Sequence, residues 1–231
     1  TISDAGLVGG GSIPVPGEIS LSHRGVLFLD ELPEFNRRTL EVLRQPLEDG
    51  VVTISRALTS TTFPADFMLI AAMNPCPCGY RSDPRRECHC RVMQIERYMA
   101  KISGPLLDRI DIQMEVPAVP FQELSGLPTG SSSGQMRQQV EQARLVQADR
   151  YGNTRIRCNA QLKSRLLREH CALDEQSQGL LKSSVQQLGL SARAHDKVLR
   201  LARTVADVEG VAKLTAIHLQ EAINYRMLDR Q

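Results

Sequence analysis

Short apolar runs in the first half of the chain predict a parallel sheet. Val26–Leu29 and Phe67–Ala72 are uninterrupted apolar runs with close boundaries, which is typical of strands buried on both faces. Ile110–Val116 is a third candidate strand. Between the first two runs, Arg37–Leu47 has leucines at helical spacing and is closed by an Asp-Gly pair, which predicts a helix. This half of the chain is therefore predicted to be α/β.

Two further segments of this half lack helical periodicity. Residues 1–24 are rich in Gly, Ser and Pro and predict a loop or hairpin. Val51–Ile54 and Thr59–Phe63 are β-prone runs around Ser55-Arg56-Ala57, so we expect a β-hairpin there.

The second half of the chain has a helical pattern. Residues 125–134 (SGLPTGSSSG) predict a linker, which divides the chain into domains at 1–124 and 135–231. The predicted helices are 136–150, 159–170, 175–188, one capped by Ser191 and one that begins at Thr215.

The composition is that of a globular protein, with 231 residues of which 42% are hydrophobic and 23% charged. No stretch approaches the roughly 18 consecutive apolar residues of a membrane span. The first residues also lack the basic-then-apolar pattern of a signal peptide. We therefore expect a cytoplasmic protein with no membrane partner.

The charge is distributed unevenly between the two halves. Residues 1–130 carry 12 Lys/Arg against 16 Asp/Glu, whereas residues 131–231 carry 16 against 10. A basic helical region is a candidate surface for nucleic acid or for an acidic neighbour. A solvated helix face gives the same count, so charge alone leaves both interpretations open.

Two carboxylates follow the first predicted strand. The segment Gly25-Val-Leu-Phe-Leu-Asp30-Glu31 places Asp30 and Glu31 at the carboxyl edge of a sheet, where open α/β sheets bind ligands. In nucleotide hydrolysis, the first carboxylate of such a Walker B pair holds Mg²⁺ and the second orients or deprotonates the attacking water. An ordinary capped strand end is the alternative interpretation.

Two other polar residues lie next to the ends of predicted strands. Asn74 follows the second predicted strand, where its neutral amide can hydrogen-bond a γ-phosphate or the attacking water; the alternative is an Asn-Pro turn. Arg109 precedes the third candidate strand, and an exposed arginine there can stabilise charge on a phosphoryl group bound by a neighbouring subunit. A salt bridge to Asp108 or Asp111 is the alternative.

In order and spacing, these segments resemble the AAA+ ATPases, and in particular the magnesium-chelatase-like proteins of the ComM/YifB group. The stretches that carry the resemblance are Pro16-Gly17-Glu18-Ile19-Ser20, Leu29-Asp-Glu-Leu-Pro-Glu-Phe35, Asn74-Pro-Cys-Pro-Cys78-Gly and Ser103-Gly-Pro-Leu-Leu-Asp-Arg-Ile-Asp111. The resemblance covers nearly the whole chain and is weaker across the linker and residues 135–185. It implies a partial AAA+ core, with a parallel sheet, flanking helices and a β-hairpin insertion, followed by an all-α C-terminal lid domain.

The resemblance also implies roles for single residues and for ligands. By similarity to the family, Asp30 is the Mg²⁺ carboxylate, Glu31 the catalytic base, Asn74 sensor 1, Arg109 the arginine finger that acts on the adjacent subunit, and Arg193 sensor 2. ATP and Mg²⁺ are the implied substrate and cofactor. For Arg193, a solvent-facing helical arginine is the alternative interpretation.

The family pattern includes a phosphate-binding loop, G-x-x-x-x-G-K-[ST], that the printed sequence does not contain. Gly9–Gly11 does not replace it, because no Gly-Lys-Ser/Thr follows. We therefore expect this chain to be a fragment that hydrolyses ATP poorly or not at all when it is isolated.

Four cysteines lie within fifteen residues and predict a metal site. Cys76, Cys78, Cys88 and Cys90 form two C-x-C pairs, and four thiolates satisfy tetrahedral Zn²⁺, although C-x₂-C pairs are the more usual spacing. Structural zinc is the favoured interpretation. Redox-active or reduced thiols and an iron–sulfur cluster are the alternatives.

Arginines in two predicted loops are the candidate DNA contacts. They are Arg56 in the predicted hairpin and Arg81, Arg85 and Arg86 in the cysteine loop. The resemblance implies a hexameric ring that acts on single-stranded or branched DNA as a branch-migration helicase in recombination and natural transformation. The alternative is a chelatase-type motor that remodels a partner protein for metal insertion.

Overall fold

The two apolar runs predicted as strands pair with each other in the computed structural model, which describes residues 3–55, 60–81, 83–117, 119 and 130–226. The pairing is parallel, with Val26 opposite Met68 and Leu29 opposite Ala71. Residues 1–110 form one compact unit and residues 111–231 another.

The described elements of residues 1–110 are short. The strands are β1 (Gly9–Gly10), β2 (Val15–Pro16), β3 (Val26–Leu29), β4 (Val51–Ser55), β5 (Ser60–Pro64) and β6 (Met68–Ala71). The helices are α1 (Asp4–Val8), α2 (Glu18–Leu21), α3 (Arg37–Glu41), α4 (Arg44–Asp49), α5 (Val92–Met99) and α6 (Gly104–Leu107), with a 3₁₀ turn at Leu32–Glu34.

The described elements of residues 111–231 are all helical. They are α7 (Ser133–Tyr151), α8 (Ser164–His170), α9 (Glu175–Leu188), α10 (Ala192–Val208) and α11 (Ala216–Asn224), with a 3₁₀ turn at Asn159–Gln161. A small parallel sheet with helices, followed by an all-helical unit, confirms the predicted fold class.

Only one face of the parallel sheet is buried. Leu27 and Leu29 lie in the same core cluster as Leu40 and Leu106. The residues of the other face are 45% to 62% exposed, namely Val26, Phe28, Met68 and Ile70. The prediction of strands buried on both faces is therefore wrong for the described residues. Apolar residue types occupy both faces, but burial also requires a second packed layer, and the described helices supply one side only.

The helix predicted at Arg37–Leu47 is interrupted and forms α3 and α4. Pro46 is the physical reason, because it lacks an N–H and its ring opposes the carbonyl of Val42, four residues earlier. At the break, the Leu43 N–H donates to Leu40 O at 3.2 Å, which is a tighter turn than the α-helix. Both leucines remain buried, so the predicted apolar face still packs on the core.

The glycine-rich start contains the predicted hairpin and also two short helices. β1 and β2 pair antiparallel, and α1 and α2 flank them. Gly17 lies at a close approach of backbone segments, since an added Cβ would be 2.3 Å from Gly9 N and 2.6 Å from Leu7 O. A side chain at this position would displace one of the two segments.

The predicted β-hairpin is confirmed as β4 and β5, which pair antiparallel from Val51 opposite Pro64 to Ser55 opposite Ser60. Residues 56–59, between the two strands, lie outside the described residues. The candidate DNA contact Arg56 is one of them and is therefore not placed by the structure.

The third candidate strand, Ile110–Val116, does not form in the described chain. This segment associates with helices of the second unit instead of pairing in a sheet. Gln113 N–H donates to Tyr225 O at 2.8 Å, and Asp111 lies 2.8 Å from the ammonium group of Lys197. These contacts also explain why the second unit begins at residue 111, before the predicted linker at 125–134.

The predicted helix caps of the second unit are present. Ser191 Oγ accepts a hydrogen bond from Ala194 N–H at 3.1 Å, and helix α9 has the predicted bounds. The predicted helix 159–170 is divided into a 3₁₀ turn and α8. At the end of the predicted linker, α7 begins at Ser133, because Ser132 and Gln135 cap its first turn reciprocally.

The core of the second unit is formed where its helices cross. Its fully buried members include Leu162, Val198, Ala202 and Leu219. Among the described helices, none is both long and apolar enough to cross a membrane.

Candidate functional site

Asp30 and Glu31 lie at the carboxyl edge of the parallel sheet. Hydrogen bonds between the strands continue past them, because Ala72 N–H donates to Leu29 O and Leu32 N–H donates to Ala72 O, both at 2.9 Å. Both carboxylate side chains are exposed. Two acids are thus held at an accessible position directly beyond the β3–β6 pair.

The backbone of Glu31 adopts a rare conformation. Its φ of +51° and ψ of +48° are left-handed, and its N–H donates to Asp30 Oδ1 at 2.9 Å. For a residue with a side chain, this conformation costs about 1–3 kcal/mol, and such strain is concentrated at functional sites. The strained turn redirects the chain into the 3₁₀ turn that follows and fixes the position of the two acids.

Asn74 follows β6 and lies at the same edge. It is two residues beyond Ala72, whose backbone bonds to Leu29 at the end of β3 and to Leu32 in the 3₁₀ turn, and its side chain is exposed. Gly79 brings the chain back towards this amide, with its Cβ position 3.9 Å from Asn74 Oδ1. The sheet therefore brings together the three residues that the sequence placed at one edge, Asp30, Glu31 and Asn74.

Tyr98, which the sequence did not indicate, lies near this edge on helix α5. Its side chain is buried, with 6% exposed. Burial raises the pKa of Tyr98, and the charge of Glu34 raises it further, whereas the nearby backbone of Asn74 lowers it. No sequence motif marks this tyrosine, because its partners are distant along the chain.

Arg109 is held within its own unit. Its side chain is only 12% exposed, so the expectation of an exposed arginine is wrong. Nη1 donates to Pro105 O at 2.6 Å, and Nη2 forms an ion pair with Glu48 on α4. The sequence did not predict Glu48 as a partner, since 61 positions separate the two residues.

Arg193 lies in the first turn of α10 and is exposed. A cation gains nothing from the helix dipole at this end of a helix, where negative charge is favoured. The helix therefore does not itself account for an arginine at this position.

The four clustered cysteines converge on one point. Their sulfurs all lie within 4.8 Å of one another. The Sγ of Cys76 is 3.4 Å from that of Cys78 and 3.6 Å from that of Cys88. Four sulfurs bound tetrahedrally at the usual Zn–S distance lie about 3.8 Å apart. The four thiols therefore fit a tetrahedral metal ion such as Zn²⁺.

The protonation of the cluster also favours a cation. A backbone hydrogen bond from Tyr80 lowers the pKa of Cys78 to about 6. The same Cys78 group, acting through its hydrogen bond, raises the pKa of Cys90 to about 12. The Cys78 thiolate therefore forms readily and disfavours ionisation of Cys90. A bound cation would stabilise both thiolates together.

The arginines of the cysteine loop differ in their surroundings. Arg81, Arg85 and Arg86 are all exposed. Arg86 donates to the hydroxyl of Tyr80 at 2.7 Å and lies over its ring at 5.1 Å, whereas Arg85 lies 3.9 Å from Asp83. These side chains form a basic surface next to the cysteine cluster.

Comparison with known families identifies the class of protein. The family described as magnesium chelatase, subunit ChlI, matches residues 1–124, and the family described as its C-terminal part matches residues 130–226. The chain belongs to the magnesium chelatase ChlI family.

Individual relatives show which group within this family the chain resembles. The competence protein ComM of Haemophilus influenzae is 44% identical over 225 residues, which are 97% of this chain and 43% of that protein. The protein YifB of Escherichia coli is 46% identical over 226 residues, with the same two shares. The resemblance to the ComM/YifB group is therefore confirmed, and the chain spans less than half the length of these relatives.

Proposed function

We propose that this chain is part of an ATP-hydrolysing ring motor that acts on DNA. The observation that carries the proposal is the placement of Asp30, Glu31 and Asn74 at one carboxyl edge of a parallel sheet. In this proposal, residues 1–124 are the C-terminal part of the AAA+ core, 125–134 the linker and 135–231 the lid. The family match and the similarity to ComM support this assignment.

Each residue of the edge has a distinct part in the proposed hydrolysis. Asp30 holds Mg²⁺, which neutralises charge on the phosphate oxygens when it is bound. Glu31 orients the attacking water and accepts its proton, and the left-handed turn fixes its carboxylate for this purpose. Asn74 donates a hydrogen bond from its amide to the γ-phosphate.

Two arginines complete the proposed site in the assembled ring. Arg109 acts on the nucleotide of the adjacent subunit, which requires its guanidinium to leave Glu48. Arg193 contacts the γ-phosphate as sensor 2 and links the lid to the nucleotide. A hexameric ring is the proposed assembly.

DNA is the proposed substrate because of the basic surface at Arg81, Arg85 and Arg86. Exposed guanidinium groups bind backbone phosphates without regard to sequence, and such binding weakens as salt rises. Branch migration during recombination is the proposed process. In this proposal the four cysteines hold a structural Zn²⁺ that shapes the loop carrying these arginines.

The test uses the complete protein that contains this chain. We expect branched duplex DNA to raise its steady-state rate of ATP hydrolysis several-fold, and the double variant Arg81→Ala/Arg85→Ala to lose most of that stimulation. Arg37→Ala is the matched control, since it removes an exposed arginine at the start of α3, in the same unit. An ATPase rate that is the same with and without DNA would contradict the DNA assignment and favour remodelling of a partner protein.

A further inference from the structure

The side chain of Arg109 joins the ends of two helices in its own unit. Arg109 lies two residues beyond α6, and its Nη1 donates to Pro105 O at 2.6 Å. Its Nη2 forms an ion pair with the carboxylate of Glu48, which lies in the last turn of α4. The arginine side chain is 12% exposed and that of the glutamate 42%. In this conformation, the guanidinium therefore binds its own unit and is largely shielded from solvent.

Both residues of this ion pair line a surface cleft of about 310 Å³. The other charged residues of the cleft are Glu41, Arg44 and Asp49, so three acids face two arginines. Arg44 is paired with Glu41 at 2.7 Å, whereas Arg109 is paired with Glu48. A phosphate group that entered the cleft would meet a net negative charge. Arg109 therefore has to move out of the cleft to bind phosphate.

Helix α4 does not itself account for an acid at position 48. The last turn of a helix carries a partial negative charge and favours cations. Glu48 lies in that turn, one residue before the helix ends at Asp49. The ion pair with Arg109 offsets this unfavourable position, so Glu48→Gln removes the charge without loss to the helix.

Glu48 competes with phosphate for the same guanidinium. Arginine binds carboxylate and phosphate through the same planar set of N–H donors. While Nη2 is bound to Glu48, this side of the guanidinium does not reach an anion of another subunit. The rate of a step that needs the released arginine is then reduced to the fraction of subunits in which the ion pair is open.

We propose that Glu48 is a positioning residue that holds Arg109 in its own unit until an adjacent subunit presents the phosphates of its nucleotide. The inference rests on the proposed function, since it concerns the arginine that is proposed to act across the ring. The exchange of a carboxylate for a phosphate keeps the guanidinium paired in both positions. Hydrolysis is thereby restrained in a subunit whose neighbour is not in place.

The test compares Glu48→Gln with Asp49→Asn in the complete protein. Each variant removes one negative charge from the same cleft and the same end of α4, but of these two acids the described ion pair with Arg109 involves Glu48. For Glu48→Gln we expect kcat for ATP hydrolysis to rise about threefold, with KM and Tm close to those of the wild type. Asp49→Asn is expected to keep the wild-type kcat.

A second arm tests whether Glu48 acts through the arginine. Arg109→Ala is expected to lower kcat by about 100-fold or more. When Glu48→Gln is added to Arg109→Ala, we expect the residual rate to stay the same, because the ion pair is already absent. A merely structural role of Glu48 would change the rate or the Tm in both backgrounds.

The outcomes separate the two proposals. A Glu48→Gln protein with a kcat equal to or below that of the wild type would overturn the inference. A threefold rise that also occurs in Asp49→Asn, or in the Arg109→Ala background, would overturn it as well, since the lost charge alone would then explain the rise. An Arg109→Ala protein that hydrolyses ATP at the wild-type rate would instead overturn the proposed role of Arg109 in the ring.

Discussion

Replacing Asp207 by alanine is expected to lower the free energy of unfolding of the helical unit by about 3–5 kcal/mol. The side chain of Asp207 is fully buried and faces two arginines. Its Oδ2 is 2.7 Å from Arg150 Nη1, and its Oδ1 is 3.1 Å from Arg203 Nε. Asn159 donates to the same carboxylate at 2.8 Å.

The effect is large because the substitution leaves a buried charge without its counter-ion. Arg203 is only 3% exposed, and without Asp207 its charge is buried with no carboxylate beside it. Its other bonds, to the carbonyls of Val211 and Ala212, are to neutral groups. The hydrogen bonds that Arg150 donates to Asp207 also raise the pKa of Arg150, so its guanidinium stays charged.

Thermal unfolding followed by far-UV circular dichroism measures the effect. A drop in Tm of at least about 10 °C is expected for Asp207→Ala. The control is Asp196→Ala on the same helix, whose side chain is 41% exposed and 3.9 Å from Arg200, and which is expected to cost at most about 0.5 kcal/mol. Equal Tm values for the two variants would contradict the account of the buried network.

Replacing Cys88 by serine is expected to abolish tight metal binding by the cysteine cluster. The purified protein is expected to hold about one zinc ion per chain, because the four sulfurs match a tetrahedral site. Loss of one thiolate leaves three sulfur ligands, and apparent zinc binding energies of about 10–16 kcal/mol depend on the complete set.

The affinity of the cluster for zinc is expected to rise with pH across the neutral range. Zinc binds thiolates, so the protons of Cys88 and Cys90 must leave. Burial and the neighbouring thiols raise the pKa of Cys88, and the bond to Cys78 together with burial raises that of Cys90. Metal analysis after dialysis against a competing chelator at several pH values measures this. Cys158→Ser is the control, since Cys158 lies in the other unit. A Cys88→Ser protein that keeps its zinc would contradict the assignment.

The sequence was sufficient to predict the edge of the sheet and the convergence of the four cysteines. The carboxyl ends of parallel strands meet at one edge, so acids after β3 and an amide after β6 had to lie close together. Likewise, two C-x-C pairs joined by a short loop bring four thiols to one point. In both cases the polar or cysteine side chains are close in sequence to the pattern that predicts the local structure.

The supporting contacts could not be predicted in this way. Tyr98, Glu48 and Asp207 are common residue types whose partners depend on how distant segments pack, and no local pattern distinguishes them from solvated side chains. The exposure of one face of the sheet could not be predicted for the same reason, because apolar residues show which positions can be buried but not which element covers them. Pro46, in contrast, is a local indication in the sequence that the helix is interrupted, whereas the leucine spacing by itself predicts a continuous helix.

The central claim is that Glu31 is the base of an ATP-hydrolysing site, and Glu31→Gln in the complete protein tests it most directly. We expect the rate of ATP hydrolysis to fall by about 100-fold or more, while the Kd for ATP changes little, because the amide keeps the shape of the side chain but cannot accept the proton. Glu34→Gln, three residues further along the same turn, is expected to keep the wild-type rate. A Glu31→Gln protein that hydrolyses ATP as fast as the Glu34→Gln control would contradict the account.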